Sequence, residues 1–251
     1  MNKYVALLEY DGTAYHGWQL QKDLPTVQGV VEQGLQRILT TATRVHGAGR
    51  TDAGVHASGQ VAHFFAEWKH SPQDLLRACN AVLPADVSIR SVKTAPEDFH
   101  ARHSARSKIY VYSILNSSLR SPLQRLYSWH IPHELDVGAM KHAMECLPGT
   151  HDFGAFGSPT EGTPSTVRQM LSAELYATER GYLRVTLQGT GFLRYMVRSL
   201  VGTLVLVGRN NITPSEFRSI LVSTDRSRSG PTAPPHGLCL RSVQYDPGGK
   251  G

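Results

Sequence analysis

Cysteine is scarce in this chain: Cys79, Cys146 and Cys239 are the only three in 251 residues. No two form a CxxC pair, so neither a zinc ribbon nor a disulfide framework is indicated. Cys79 and Cys146 fall near apolar helical positions, where buried free thiols are expected, and that usage fits a reducing cytoplasm. Long apolar runs are missing too. The most apolar stretch, Met196 to Val207, is interrupted by Arg198 and Gly202 and does not read as a membrane span. The N-terminal run Tyr4 to Leu8 meets Glu9 too early to serve as a signal peptide. There is no GxxxxGK[ST] phosphate loop. Gly47-Ala48-Gly49 begins like a dinucleotide fingerprint, but Asp52 stands where the third glycine belongs. His100 and His103 are spaced HxxH without an evident third ligand, so no metal site is expected. His151-Asp152 has no activated Ser or Cys beside it and reads as structural.

Acids are outnumbered by bases, 20 Asp and Glu against 26 Lys and Arg, giving a net charge of +6 and a pI near 9.3. That surplus favours a polyanionic partner, although an ordinary basic protein would show it as well. An apolar content of 40% suffices for a real core, in one large or two small domains.

The chain carries a repeated order of elements without a visible sequence repeat. Residues 3–10 read as a strand. Thr26 can cap a helix whose apolar face is Val27, Val30, Val31, Leu35, Ile38 and Leu39. Strands are expected around 43–50, 58–67 and 87–92. Between the last two, Ser71-Pro72 starts a helix that buries Leu75, Leu76, Cys79, Val82 and Leu83. This order, close to β-α-β-β-α-β, is that of a ferredoxin-like or RNA-recognition-motif-like unit. A strand over 107–115, a helix over 136–147, a hairpin over 166–178 and 181–190, a helix over 194–207 and a strand over 238–245 repeat it. An extra short helix starts at Thr213, where Thr213 and Glu216 have capping-box spacing. The expectation is an α/β (α+β) protein with a half over 1–105, a second half over 106–246 and a disordered tail over 247–251.

One segment concentrates chemistry. Gly49-Arg50-Thr51-Asp52-Ala53-Gly54 sets a carboxylate in a turn-forming stretch, two residues after a cation and just before a strand. A nearby positive charge keeps a carboxylate ionised for chemistry. The same spacing equally suits an Asx-turn in which Asp52 bonds only its own backbone. On a helical wheel over 194–209, Arg194, Arg198 and Arg209 gather at one edge of the apolar arc, either as solvated boundary charges or reaching into a cleft. Tyr110 and Tyr112 share one face of their strand, where core packing would also explain them. Arg218, Arg226 and Arg228 form a basic, mobile-looking stretch, suited to phosphate contact or to plain solvation.

The string Gly47 to Ala57 resembles the catalytic signature of the pseudouridine synthases, most closely the transfer-RNA pseudouridine synthase A (TruA) family. Tyr10-Asp11-Gly12-Thr13-Ala14-Tyr15-His16-Gly17-Trp18-Gln19 is similar to that family's opening segment. Thr26-Val27-Gln28-Gly29, Lys108-Ile109-Tyr110-Val111-Tyr112, Gly149 to Phe153, Gly191 to Arg198 and Ala233 to Leu238 follow in family order. The resemblance implies two halves with fused antiparallel sheets and a central active-site cleft. It implies a cofactor-free, metal-free isomerase that converts uridine to pseudouridine at positions 38, 39 and 40 of the tRNA anticodon arm. It further implies a cytoplasmic homodimer with the RNA crossing both subunits. Asp52 would be the catalytic carboxylate, Arg198 its basic partner and Tyr110 the residue stacking on the target base. Arg50 would fill the space that the flipped base leaves, and Leu238 would line the uracil pocket. With RNA as substrate, Arg194, Arg226 and Arg228 become candidates for its phosphates. The alternatives are a non-catalytic double RNA-recognition-like binding protein and a synthase for another RNA site.

Overall fold

The computed structural model describes residues 1–39, 41–159, 164–178 and 180–246. They divide into two compact units. The first comprises Met1–Arg106 and the segment from Leu240 onward, the second Ser107–Cys239.

The first unit opens with β1 (Asn2–Tyr10) and α1 (Val27–Leu39). It continues with β2 (His46–Gly47), β3 (His56–Ala66), α2 (Pro72–Val82) and β4 (Val87–Thr94). Helix α1 buries Val27, Val31, Leu35 and Leu39, a four-residue spacing that puts them on one face. Helix α2 begins as its sequence dictates: Ser71 and Asp74 form a reciprocal capping box and Pro72 occupies the first turn. Strand β1 lies between β4 and β3, antiparallel to both. The strand expected over 43–50 shrinks to the two residues of β2, pairing His46 with His63 and Gly47 with Ala62. Beyond Gly47 the chain turns away into the loop that carries Asp52, so no longer ladder forms.

The second unit holds β5 (Ser107–Asn116), β6 (Trp129–Ile131), α3 (Val137–Met144) and β7 (Gly149–Asp152). After these come β8 (Val167–Ala177), β9 (Tyr182–Gly189), α4 (Met196–Gly208) and α5 (Pro214–Ser223). Its strand order is β5-β9-β8-β7, with β8 and β9 forming the expected hairpin. Helix α4 is apolar nearly all round and buried nearly all round, so it is the core helix of this unit.

Three expectations are corrected. Strand β6 pairs with β5 in parallel, through Ile114–Trp129 to Asn116–Ile131, so the strands are mixed rather than wholly antiparallel. The intervening residues 117–128 carry the chain back to the same end, which a parallel pair requires. The last strand, β10 (Leu238–Gln244), begins in the second unit, but from Leu240 it groups with the first, where it follows β3 in strand order. Gly59 permits that approach, since a Cβ there would lie 2.2 Å from the Arg241 carbonyl oxygen. Helix α4 starts at Met196, so Arg194 lies before the helix and Arg209 is its C-cap. The tail over 247–251 lies outside the described residues.

Candidate active site

Asp52 sits half-buried in a loop between β2 and β3. Its own carbonyl accepts from the Val55 amide at 3.1 Å, closing a tight turn. Other bonds to the loop come from far along the chain. The Trp18 amide donates to the Thr51 carbonyl at 3.0 Å, and the Gly54 amide to the Tyr15 carbonyl at 3.2 Å. The Tyr10 hydroxyl and the Thr51 hydroxyl are 2.8 Å apart in a buried site. Gln60, wholly buried on β3, donates from Nε2 to the Gly49 carbonyl at 2.8 Å.

The opening segment is thus a cradle for the Asp52 loop, and two of its glycines are there for space. Gly17 has φ +89°, and a Cβ on it would meet the Thr51 carbonyl oxygen at 2.5 Å. A Cβ on Gly12 would lie 2.0 Å from the Val55 carbonyl oxygen. The segment is itself fixed. The Gly12 amide donates to His56 Nδ1 at 3.0 Å, and the Tyr15 hydroxyl donates to Asp86 at 2.7 Å. Burial and the Asp86 carboxylate push the Tyr15 hydroxyl's pKa upward, which keeps it a donor. Arg50 is exposed, and its Nε donates to Gln19 Oε1 at 3.1 Å. Gln19 in turn donates to Gln28 at 2.9 Å, a buried hub that also bonds the Leu20 amide, Glu32 and the Val45 carbonyl.

In the second unit the candidate residues sit on regular elements. Tyr110 is buried on β5 with its ring edge-on to Phe192, centroids 5.0 Å apart. Tyr112, two residues on, is wholly buried and donates to the Pro234 carbonyl at 2.8 Å. Burial pushes its pKa upward. Arg198, in the first turn of α4, donates from Nε to the Ala233 carbonyl at 2.7 Å, while the Ala233 amide donates to the Arg198 carbonyl at 3.0 Å. Gly202 lets the segment from Pro231 to Ala233 lie against α4, since a Cβ there would be 1.7 Å from the Pro231 carbonyl oxygen. Leu238 is buried just after the turn Pro235–Gly237, whose Gly237 rests on the Tyr112 ring.

Tyr195 was not singled out in the sequence, yet it organises two of the arginines. It adopts φ +65°, rare for a non-glycine residue, immediately before α4. The Arg194 guanidinium lies 4.7 Å from its ring centroid and donates to its hydroxyl at 2.8 Å; that of Arg198 lies 5.5 Å from the same ring. Nothing in local propensity marks such a position. Arg226 is corrected from a mobile-looking stretch to a capped 3₁₀ turn, with Asp225 accepting from the Ser227 amide. Its guanidinium reaches the Ser229 hydroxyl, the Gly230 carbonyl and, at 3.1 Å, the Thr232 hydroxyl. Arg228 lies exposed on the same turn. Among the described residues no group of three or more His, Cys, Asp or Glu is arranged to hold a metal ion.

The chain matches a family model described as tRNA pseudouridine synthase over residues 6–104 and 143–246. It is 42% identical to the tRNA pseudouridine synthase A of Ruminiclostridium cellulolyticum, over 98% of this chain and 100% of that protein. It is 45% identical to the one from Syntrophotalea carbinolica, over 96% and 95% of the two chains. To that of Chloroflexus aurantiacus it is 44% identical, over 99% and 90%.

Proposed function

This chain belongs to the tRNA pseudouridine synthase family, and from that membership we propose that it isomerises uridine to pseudouridine at positions 38, 39 and 40 of the tRNA anticodon arm. The observation that carries the reading is the Asp52 loop, clamped by main-chain bonds to Tyr15 and Trp18 and by close packing against Gly12 and Gly17. Such a clamp suits a carboxylate whose direction has to be fixed before substrate arrives.

The reaction breaks the N1–C1′ bond, turns the uracil and rejoins it through C5, so C5 gives up a proton and N1 gains one. Nothing is oxidised or reduced overall, and the reading calls for no cofactor or metal. A base stacked in a stem is out of reach, so it has to be flipped out. Asp52 acts on the ribose, as a nucleophile or as a base at C2′. Arg198 is the cation that keeps it ionised. Tyr110 stacks on the flipped base and Leu238 packs against it, while Arg50 takes its place in the stem. Arg194, Arg226 and Arg228 meet phosphates. The protein works as a homodimer in the cytoplasm, to which its free thiols are suited. No helix among the described residues is long and apolar enough to cross a membrane.

The test is release of label from C5 of the target uridine in an anticodon arm, with chelator present and nothing else added. Release with wild-type protein is expected. Tight binding without release, unrescued by full-length tRNA or by omitting the chelator, would replace the isomerase with a binding module.

A further inference from the structure

The second unit contains a cavity of about 480 Å³ that none of the candidate site residues above lines. Its walls come from the β5–β6 connection and from the turn before β10. Trp129, Arg120, Arg125, His130, Ser128 and His236 are the lining groups that carry chemistry. The volume lies inside the range of about 300–1,000 Å³ typical of small-molecule sites. The connection falls between the two stretches matched by the family model, 6–104 and 143–246.

The cavity's wall is mostly apolar, with Trp129 as its flat aromatic face, and Arg120 and Arg125 are among the residues that line it. Trp129 is half-buried and fixed edge-on against Tyr112, centroids 6.4 Å apart, so its indole is held rather than free. His130 donates from Nε2 to the Ser117 carbonyl at 2.8 Å, since a carbonyl can only accept. Arg125 spends one donor group on the Pro122 carbonyl at 2.8 Å and keeps the rest of its fork. Arg120 is exposed and has no carboxylate or carbonyl partner among the described residues. From Leu115 to His133 the sequence holds two arginines, two histidines and no Asp or Glu. An arginine pair left uncompensated beside an aromatic plane suits a ligand that is both flat and anionic.

We propose that this cavity binds one unpaired nucleotide of the substrate RNA, base against Trp129 and phosphate against Arg120 and Arg125. The proposal rests on RNA being the substrate and adds a second anchoring point, separate from the flipped uridine. Two exposed leucines flank it, Leu119 at 78% and Leu123 at 84% exposure, and would also suit a protein partner. The arginines and the lack of Asp or Glu from Leu115 to His133 favour an anionic occupant, and a protein partner is an outcome of the test.

The test uses the intact protein. Uridine 5′-monophosphate is expected to shift the Trp129 indole NMR signal more than uridine or inorganic phosphate does at equal concentration. An anticodon arm carrying 4-thiouridine in its single-stranded loop should crosslink within residues 115–130. Arg120→Gln should raise KM for the arm by about three- to tenfold and lower the salt slope of binding by about one unit. Trp129→Phe should retain most of the affinity that Trp129→Leu loses. An unchanged KM and salt slope in Arg120→Gln, with C5 release intact, would overturn the proposal. So would a change in sedimentation of that variant without a change in salt slope, which would make the surface a protein interface. Absence of C5 release by wild type would instead break the isomerase reading, and the crosslink and nucleotide shifts would still report on the cavity.

Discussion

Asp52 in the first unit owes its position to main-chain groups more than thirty residues away, whereas Arg198 and Tyr110 in the second are placed by a helix and a strand. Within the loop the Val55 amide donates to the Asp52 carbonyl. Its cradle of Gly12, Tyr15, Gly17 and Trp18 adds main-chain bonds and close packing, and Tyr10 and Gln60 add side-chain bonds to Thr51 and Gly49. Arg198 gains its direction from the first turn of α4 and from one exchange of hydrogen bonds with Ala233. A loop residue of this kind is only as well aimed as the segment it leans on. A helix residue keeps its aim while the helix lasts.

The largest effect expected is at Asp52. Asp52→Asn keeps shape and loses charge, and turnover should fall by at least about three orders of magnitude, as when a catalytic nucleophile is removed. tRNA affinity should change by less than about tenfold, because phosphate contacts dominate it. Single-turnover C5 release and filter binding measure both quantities. Substantial turnover by verified pure variant would take Asp52 out of the reaction.

Next comes the cradle, where the contrast between the units is sharpest. In Gly12→Ala the new Cβ meets the Val55 carbonyl oxygen, a backbone atom that cannot swing aside. We expect a fall in kcat of about a hundredfold from misaiming Asp52, with a stability loss of about 2–3 kcal/mol. Gly191→Ala in the second unit meets nothing nearer than the Arg168 side chain at 3.5 Å and should leave stability within about 0.5 kcal/mol. Equal behaviour of the two variants in kcat and in urea unfolding would dissolve the contrast.

The same contrast explains what could be read from the sequence. Helices α1 and α2 were legible because period and caps agree: Val27, Val31 and Leu35 on one face, Ser71 with Asp74 at a start. The hairpin of β8 and β9 was legible from the turn signal at Arg180-Gly181. Strands β2 and β6, of two and three residues, are too short to carry a period. The left-handed Tyr195 was invisible because tertiary packing sets it, and with it went the place of Arg194. Asp52 stood out only through the resemblance of its whole string, since an Asx-turn has the same spacing. That Gly12 and Gly17 exist to admit the Asp52 loop could not be read from one dimension. The cavity beside Trp129 joins residues more than a hundred positions apart, and no local pattern announces it.

Arg198 offers a smaller effect with a definite sign. If it is the cation that keeps Asp52 ionised, Arg198→Ala raises the carboxylate pKa. Activity then falls and the acid limb of the kcat/KM profile moves to higher pH. Arg198→Lys keeps the charge but not the Nε bond to Ala233, and should move the limb less. An acid limb in the alanine variant that coincides with wild type would separate Arg198 from Asp52.

The smallest effect concerns a histidine cluster that belongs to the first unit alone. His63 is buried, its ring stacked on His46 at 5.0 Å and edge-on to His100 at 4.6 Å, while His103 packs on His100 at 4.3 Å. The Ala101 amide donates to His63 Nδ1, and the Arg102 and His103 amides to His100 Nδ1, so the loop over 100–103 is held by neutral imidazoles. Lys3, itself buried, donates to the Glu97 and Phe99 carbonyls and adds a fixed positive charge nearby. Burial first, then His100, His46 and Lys3, lower the His63 pKa to about 4. Because the folded value lies below the ordinary value of about 6.5, the fold favours the neutral ring. That stability is whole above about pH 6.5 and is lost as pH falls from there toward 4. Between pH 7 and 5 the loss should be on the order of 1 kcal/mol. It should appear first as faster amide exchange at Ala101, Arg102 and His103, after correction for intrinsic rates. His63→Asn retains an acceptor near the Nδ1 position and cannot be protonated, so its loop amides should lose most of that pH dependence. Equal acid sensitivity in wild type and His63→Asn would assign the effect to other groups and remove this distinction between the units.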